Sequence, residues 1–175
     1  MWKKGLLLML GAVLALSLTA CADSGAGASS QAGTDSSQAG EAQTGKTLDV
    51  EAAAQALLDG ADFDDELAEV SEKVVAGQYQ GLDMSDVVSC KVYISGTASG
   101  DELSVFEAKD AEAAQRIKTV TETRLSSLIE QYSDYAPDKV PKLEDPVLVV
   151  EGNYVVLCVS NDNAKAQELL DAQWK

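Results

Sequence analysis

Val147-Leu148-Val149-Val150-Glu151-Gly152-Asn153-Tyr154-Val155-Val156-Leu157-Cys158-Val159 decides the fold of this chain. Two runs rich in β-branched residues flank Gly-Asn, and glycine in the first position of a two-residue turn suits the type II′ geometry that matches strand twist. The stretch is therefore a β-hairpin. Both runs are apolar at successive positions rather than alternate ones, so both faces need cover and the two strands are predicted in the middle of a sheet. A last helix, from about Asp162 to Trp174, closes the chain.

The same order of elements occurs upstream. Val88, Cys90, Val92 and Ile94 alternate with Ser89, Lys91, Tyr93 and Ser95, the period of a strand with one buried face. Gly96 to Gly100 forms a loop, and Leu103, Val105 and Phe106 begin a second strand ending near Lys109. Asp110 is placed to cap a long helix. One half of that helix carries Ile117, Val120, Leu125, Leu128, Ile129 and Tyr132, opposite Glu112, Arg116, Thr123 and Glu130, so it must lie on an apolar surface. Pro137 and Pro141 are expected to end it and force an extended connection. At an offset of 52 residues, Asp110, Ala114 and Gln115 match Asp162, Ala166 and Gln167, each set after an apolar strand.

Nearer the N-terminus, Val50, Ala53, Ala54, Leu57 and Leu58 share a helical face, with Asp49 as cap and Gly60 as stop. Phe63 to Val75 fits helical spacing but also a short strand followed by a helical turn, which is the reading adopted. Gly81-Leu82-Asp83 breaks the chain. The expected fold is α+β: a mainly antiparallel sheet of about four strands from two strand-strand-helix units, helices largely on one face, preceded by an N-terminal helix. A split βαβ arrangement is the rival topology.

The first twenty residues read as an address. Lys3 and Lys4 precede an apolar run from Leu6 to Leu18, and Leu18-Thr19-Ala20-Cys21 places small residues before a cysteine, the layout of an export signal. In bacteria it looks like a lipoprotein signal, with cleavage between Ala20 and Cys21 and a diacylglycerol on the Cys21 thiol. A transmembrane anchor, weakened by Gly11, Ser17 and Thr19, and plain secretion compete with that reading. Two acyl chains suffice for stable anchoring. Residues 21–46 are then the lipidated cysteine and a tether of Ser, Gly, Ala, Gln, Thr and Asp without a large apolar residue. A single domain is expected over 47–175.

Lys3 and Lys4 are the only charged residues in that address. The rest of the chain carries eleven basic and 29 acidic side chains, a net charge of −18. Such a balance opposes nucleic acid and anionic lipid surfaces and favours cationic partners.

Four stretches together resemble a known family: Tyr93-Ile94-Ser95-Gly96, the strand Asp101 to Ala108, Tyr135-Ala136-Pro137 with the region of Leu143, and Gly152-Asn153-Tyr154-Val155. The chain is similar there to small lipoproteins of clostridia and related Gram-positive bacteria, a family described only as a domain of unknown function. The resemblance implies an exported, membrane-tethered protein on the outer face of a Gram-positive cell membrane. It assigns no catalytic or binding residue.

The sequence has no histidine, which removes Ser-His and Cys-His catalysis and the usual zinc sites. Paired carboxylates remain a chemical option, as in glycosidases, but no pair stands out. Cys90 and Cys158 read first as buried thiols, with a disulfide as the alternative. Asp59, Asp62, Asp64, Asp65 and Glu66 are the densest acidic patch. Counted from Asp62, Leu67 stands where a calcium loop needs glycine and Lys73 where it needs glutamate, so no metal ligands are assigned. Tyr132, Tyr135 and Pro137 are the candidate interaction surface. The expectation is a non-enzymatic interaction module needing no cofactor, meeting a protein, peptide or wall component. The alternative is a carboxylate-dependent enzyme or accessory subunit acting on a cell-wall polysaccharide.

Overall fold

The computed structural model describes residues 45–175. The signal, its cleavage point at Ala20, the Cys21 lipid site and the tether as far as residue 44 lie outside the described residues. Helix α1 (Val50–Gly60) starts where Asp49 accepts a hydrogen bond from the Ala52 amide. The order continues as β1 (Leu67–Glu69), α2 (Glu72–Gln78), β2 (Val87–Ser95), β3 (Glu102–Ala108), α3 (Ala111–Tyr135), α4 (Val140–Glu144), β4 (Val147–Glu151), β5 (Tyr154–Val159) and α5 (Asn163–Asp171). Asp110 and Asp162 cap α3 and α5 by accepting from the Ala113 and Lys165 amides, satisfying donors that a first helical turn leaves free.

The strands form one antiparallel sheet in the order β1-β2-β3-β5-β4. The α+β class and the two strand-strand-helix units, β2-β3-α3 and β4-β5-α5, are both present, and the split βαβ rival is not. The stretch after Phe63 supplies a short fifth strand, β1, followed by the short helix α2. Gly152, at φ +57°, opens the β4–β5 turn with the left-handed backbone that the primed turns require.

Three expectations are corrected. The helices are not gathered on one face. Leu103, Val105, Val156 and Cys158 pack with α1 and α5, whereas Phe106, Ala108, Val155 and Leu157 face α2, α3 and α4. Successive strand residues point to opposite faces, and β3 and β5 are apolar on both, so a single helical layer would leave half of their side chains in water. The hairpin is not wholly internal either: β5 lies between β3 and β4, but β4 is an edge. Finally, Pro137 and Pro141 do not extend the chain. They occupy first-turn positions of a 3₁₀ turn (Pro137–Lys139) and of α4, where a missing amide costs no helical hydrogen bond.

A bulge between Val87 and Ser89 adjusts β2. It turns Val88 outward, 62% exposed, while Val87 packs in the core beneath α3. Trp174 packs edge-on against Tyr154, ring centroids 5.9 Å apart, so it is a core-edge residue. Thr47 and Lys175 exchange two backbone hydrogen bonds, 3.1 and 3.0 Å, closing the domain where its two ends meet.

Candidate functional site

The loops at one end of the sheet converge on a pair of carboxylates. Helix α1 ends at Gly60 and delivers Asp62 to Asp65; the β2–β3 loop delivers Ser95 to Asp101; α3 runs out at Tyr135 into the turn bearing Lys139 and the helix α4 bearing Lys142; β5 ends at Val159 and leads into Asn161. The Asn161 amide donates to the Asp62 carbonyl at 2.7 Å, tying two of these segments together.

Asp101, 1% exposed, accepts from the Asp64 amide at 2.8 Å and from Lys142 Nζ at 2.5 Å. Lys142 also reaches Asp64 Oδ2 at 2.9 Å, and Asp64 accepts further from Lys139 at 3.0 Å and Asn161 Nδ2 at 2.9 Å. Lys142, then Asn161 and Lys139, hold the Asp64 carboxyl well below the usual carboxylate range. Asp65 is lowered as well, by the hydroxyls of Thr97, Ser95 and Ser99. Within the densest acidic patch of the sequence, Asp64 is thus paired with lysines and Asp65 with hydroxyls, and among the described residues no group of acid, cysteine or histidine side chains is arranged to hold a metal ion.

Behind this lattice lies a buried ion pair. Glu102, 1% exposed, takes Nε and Nη2 of Arg124 at 3.2 and 2.8 Å and the Tyr79 hydroxyl at 2.7 Å. Burial, then the Glu102 charge, raises the Tyr79 phenol well above its ordinary range. Ser104, the next residue of β3 on the same face, has the one buried side-chain hydroxyl left without a hydrogen bond among the described residues.

Of the three candidate contact residues, the structure buries one and exposes two. Tyr132 lies in the core against Leu143 and Gly100, and its ring stands where a Cβ on Gly100 would come within 3.3 Å. Gly100 holds φ +79°, so both its backbone and its missing side chain make room for that ring. Burial, then the neighbouring Tyr135 hydroxyl, pushes the Tyr132 phenol up to about 12. Tyr135 packs on Tyr132 with ring centroids 5.0 Å apart and is 52% exposed. Pro137 is exposed beside it.

The cleft between Tyr132, Thr97, Asp101 and Arg124 encloses only about 40 Å³. Two larger surface grooves, about 350 and 320 Å³, lie toward the other end of the sheet. One runs between the start of α1 and Ser89, Lys91 and Glu107; Lys91 there pairs with Glu51 and Glu69. The other holds Asp86, 4% exposed, clasped by Arg116 at 2.7 and 2.9 Å and by Lys109 at 2.7 Å. Arg116, then Lys109, keep the Asp86 carboxyl far below its usual range.

Cys90 and Cys158 are free thiols. Strand β3 separates their strands, and Cys90 packs toward α3 whereas Cys158 packs toward α1 and α5. The sheet itself stands between them, which settles the disulfide alternative in favour of two separate thiols.

Residues 60–160 match the family model described as Domain of unknown function (DUF4358). The chain belongs to this family. The matched segment begins at the last residue of α1 and ends just after β5, so the family's portion is the whole sheet with the α2, α3 and α4 layer. Helices α1 and α5, which cover the other face, fall outside it. The lattice around Asp64 and Asp101, the Glu102–Arg124 pair and the Tyr135 surface all lie within it, except Asn161. No curated protein and no solved structure matches the chain.

Lys142, Asp101, Glu102 and Arg124 were not singled out from the sequence. The one available signal was Glu102, an acid whose alternation with Leu103 and Val105 puts it on the strand face shared by Ser104 and Phe106, toward the long helix.

Proposed function

We propose that this chain is a lipoprotein anchored through Cys21 on the outer face of a Gram-positive cell membrane. In this reading it is a non-enzymatic interaction module whose working surface is the end of the sheet carrying Tyr135 and Pro137. The observation that carries the reading is the exposed Tyr135 ring, braced by buried Tyr132 over a lattice of internally paired charges. Pre-organised aromatic surface loses little side-chain freedom on contact, which favours binding.

The polarity of the domain supports the same surface. Thr47 and Lys175 meet at one end, and α1, about 16 Å long at 1.5 Å per residue, carries the chain from there to the opposite end, where Asp62 to Asp65 lie. Tyr135 lies at that opposite end, beside Tyr132 and Gly100 and away from Thr47 and Lys175. Against the polysaccharide-enzyme alternative, Asp64 and Asp101 share the Lys142 ammonium instead of facing each other across open space, and the adjoining cleft is too small for a sugar ring. Among the described residues no helix is long and apolar enough to cross a membrane.

Two experiments test the reading. Expressed in a Gram-positive host, the intact chain should incorporate labelled fatty acid and partition with membranes, and Cys21→Ser should abolish both; a soluble, unlabelled wild-type chain refutes the anchor. Thermal unfolding of the full chain against peptides, amino acids and wall fragments should show a saturable upward shift with one class. Tyr135→Ser should remove that shift and leave the unliganded midpoint unchanged. A shift of equal size in Tyr135→Ser moves the site elsewhere.

A further inference from the structure

Strand β4 has the composition of an interior strand and the position of an edge. Four successive apolar residues, Val147 to Val150, carry no lysine, no bulge and no internal proline, the devices that usually blunt an exposed edge. The opposite edge of the sheet is managed differently, by the three-residue β1. Register fixes which backbone groups of β4 are open. The two-residue turn makes Glu151 and Tyr154 a hydrogen-bonded pair, and antiparallel pairs alternate, so Val147, Val149 and Glu151 bond to β5. Leu148 and Val150 consequently turn both N–H and C=O outward, and among the described residues no backbone group takes any of the four.

Charge chooses the occupant. Exposed Glu144 and Asp145 stand at one end of β4 and Glu151 at the other, and no basic residue occurs from Leu143 to Ala164. A second copy pairing antiparallel about Val149 would bring Glu151 of each chain toward Glu144 and Asp145 of the other, on molecules that each carry −16. We infer that the open edge of β4 is a strand-addition site for an extended partner segment with an apolar centre and basic residues at both ends. Such a segment forms four backbone hydrogen bonds with Leu148 and Val150, lays alternate side chains beside theirs, and sets its cationic ends against the flanking carboxylates. This surface is separate from Tyr135, and its test does not depend on that residue.

The test measures fluorescence anisotropy of labelled octapeptides against the full chain in detergent. One probe has an alternating Val-Thr centre flanked by lysines, the second the same centre flanked by glutamates. The lysine-ended peptide should bind saturably and at least tenfold more tightly than the glutamate-ended one. Val150→Pro removes one outward N–H, a change that edge strands tolerate, and should weaken binding at least tenfold with an unaltered melting curve. The double variant Asp145→Lys, Glu151→Lys should transfer the preference to the glutamate-ended peptide, which keeps the test decisive should Val150→Pro fail to fold. No saturable binding of the lysine-ended peptide overturns the proposal. Undiminished binding by folded Val150→Pro does so too, as does self-association of the chain that Val150→Pro abolishes.

Discussion

Replacing Arg124 by methionine removes a guanidinium while keeping most of the side chain's apolar stem in place. The consequence falls on Glu102, whose carboxylate lies at 1% exposure beneath α3 and would be left with the Tyr79 hydroxyl as its remaining side-chain donor. Removing one partner of a buried ion pair costs about 3–5 kcal/mol, because the other charge stays desolvated. Arg124 itself keeps 12% side-chain exposure, so water reaches the rim of the site and the lower value, about 3 kcal/mol, is the appropriate estimate. For a domain of this size that corresponds to a fall of roughly 10 °C in melting temperature. Glu102→Gln in the Arg124→Met background replaces the stranded charge with a neutral amide and should recover about half of the loss, a coupling of roughly 1.5 kcal/mol or more in a double-mutant cycle. Urea unfolding of the four proteins at pH 7 supplies the cycle. Repeating it at high salt separates a buried pair, which changes little, from a surface pair, which weakens. A cost below about 1 kcal/mol for Arg124→Met, or a coupling indistinguishable from zero, would refute the assignment of Glu102–Arg124 as a buried, mutually dependent pair.

Acid should destabilise the domain through Asp64 and Asp86, whose folded-state pKa values are depressed by their lysine and arginine partners. A depressed carboxylate contributes stability above its unfolded pKa near ~4 and loses it as pH falls below that value, so the acid limb should begin there. Asp86→Asn should be less stable at pH 7 and show a shallower acid limb in a pH series of urea midpoints; an unchanged slope contradicts the Arg116–Asp86–Lys109 linkage. Gly100→Ala and Gly152→Ala both force alanine into the left-handed region, a cost of about 1–2 kcal/mol, but only the first also meets Tyr132. Gly100→Ala should therefore be the more destabilising in thermal unfolding, and equal losses would show that the Tyr132 contact is unimportant. Burial pushes the Cys158 thiol up to about 12 and also raises Cys90. Under native conditions Cys158 should resist alkylation until the chain unfolds, and mild oxidation should give no Cys90–Cys158 disulfide by peptide mass mapping.

What the sequence determined by itself was local. Asp49, Asp110 and Asp162 marked three helix starts because an N-cap acts within one turn, and Gly152-Asn153 marked the hairpin because a two-residue turn demands left-handed backbone. Tyr132, Tyr135 and Pro137 were singled out together because they stand at the end of a long amphipathic run, and only the fold separates buried Tyr132 from exposed Tyr135 and Pro137. Tertiary structure decided what depends on distant partners. Lys142 finds Asp101 and Asp64 across 41 and 78 residues, and Arg124 finds Glu102 across 22, separations that no periodicity encodes. The two-sided apolar character of β4 and β5 was visible, but whether cover comes from a neighbouring strand or from helices on both faces depends on strand order, a competition among whole-sheet arrangements. That competition placed Val147 to Val150 at an edge, turned Val88 outward at a bulge, and set Cys90 and Cys158 on opposite faces of the same sheet.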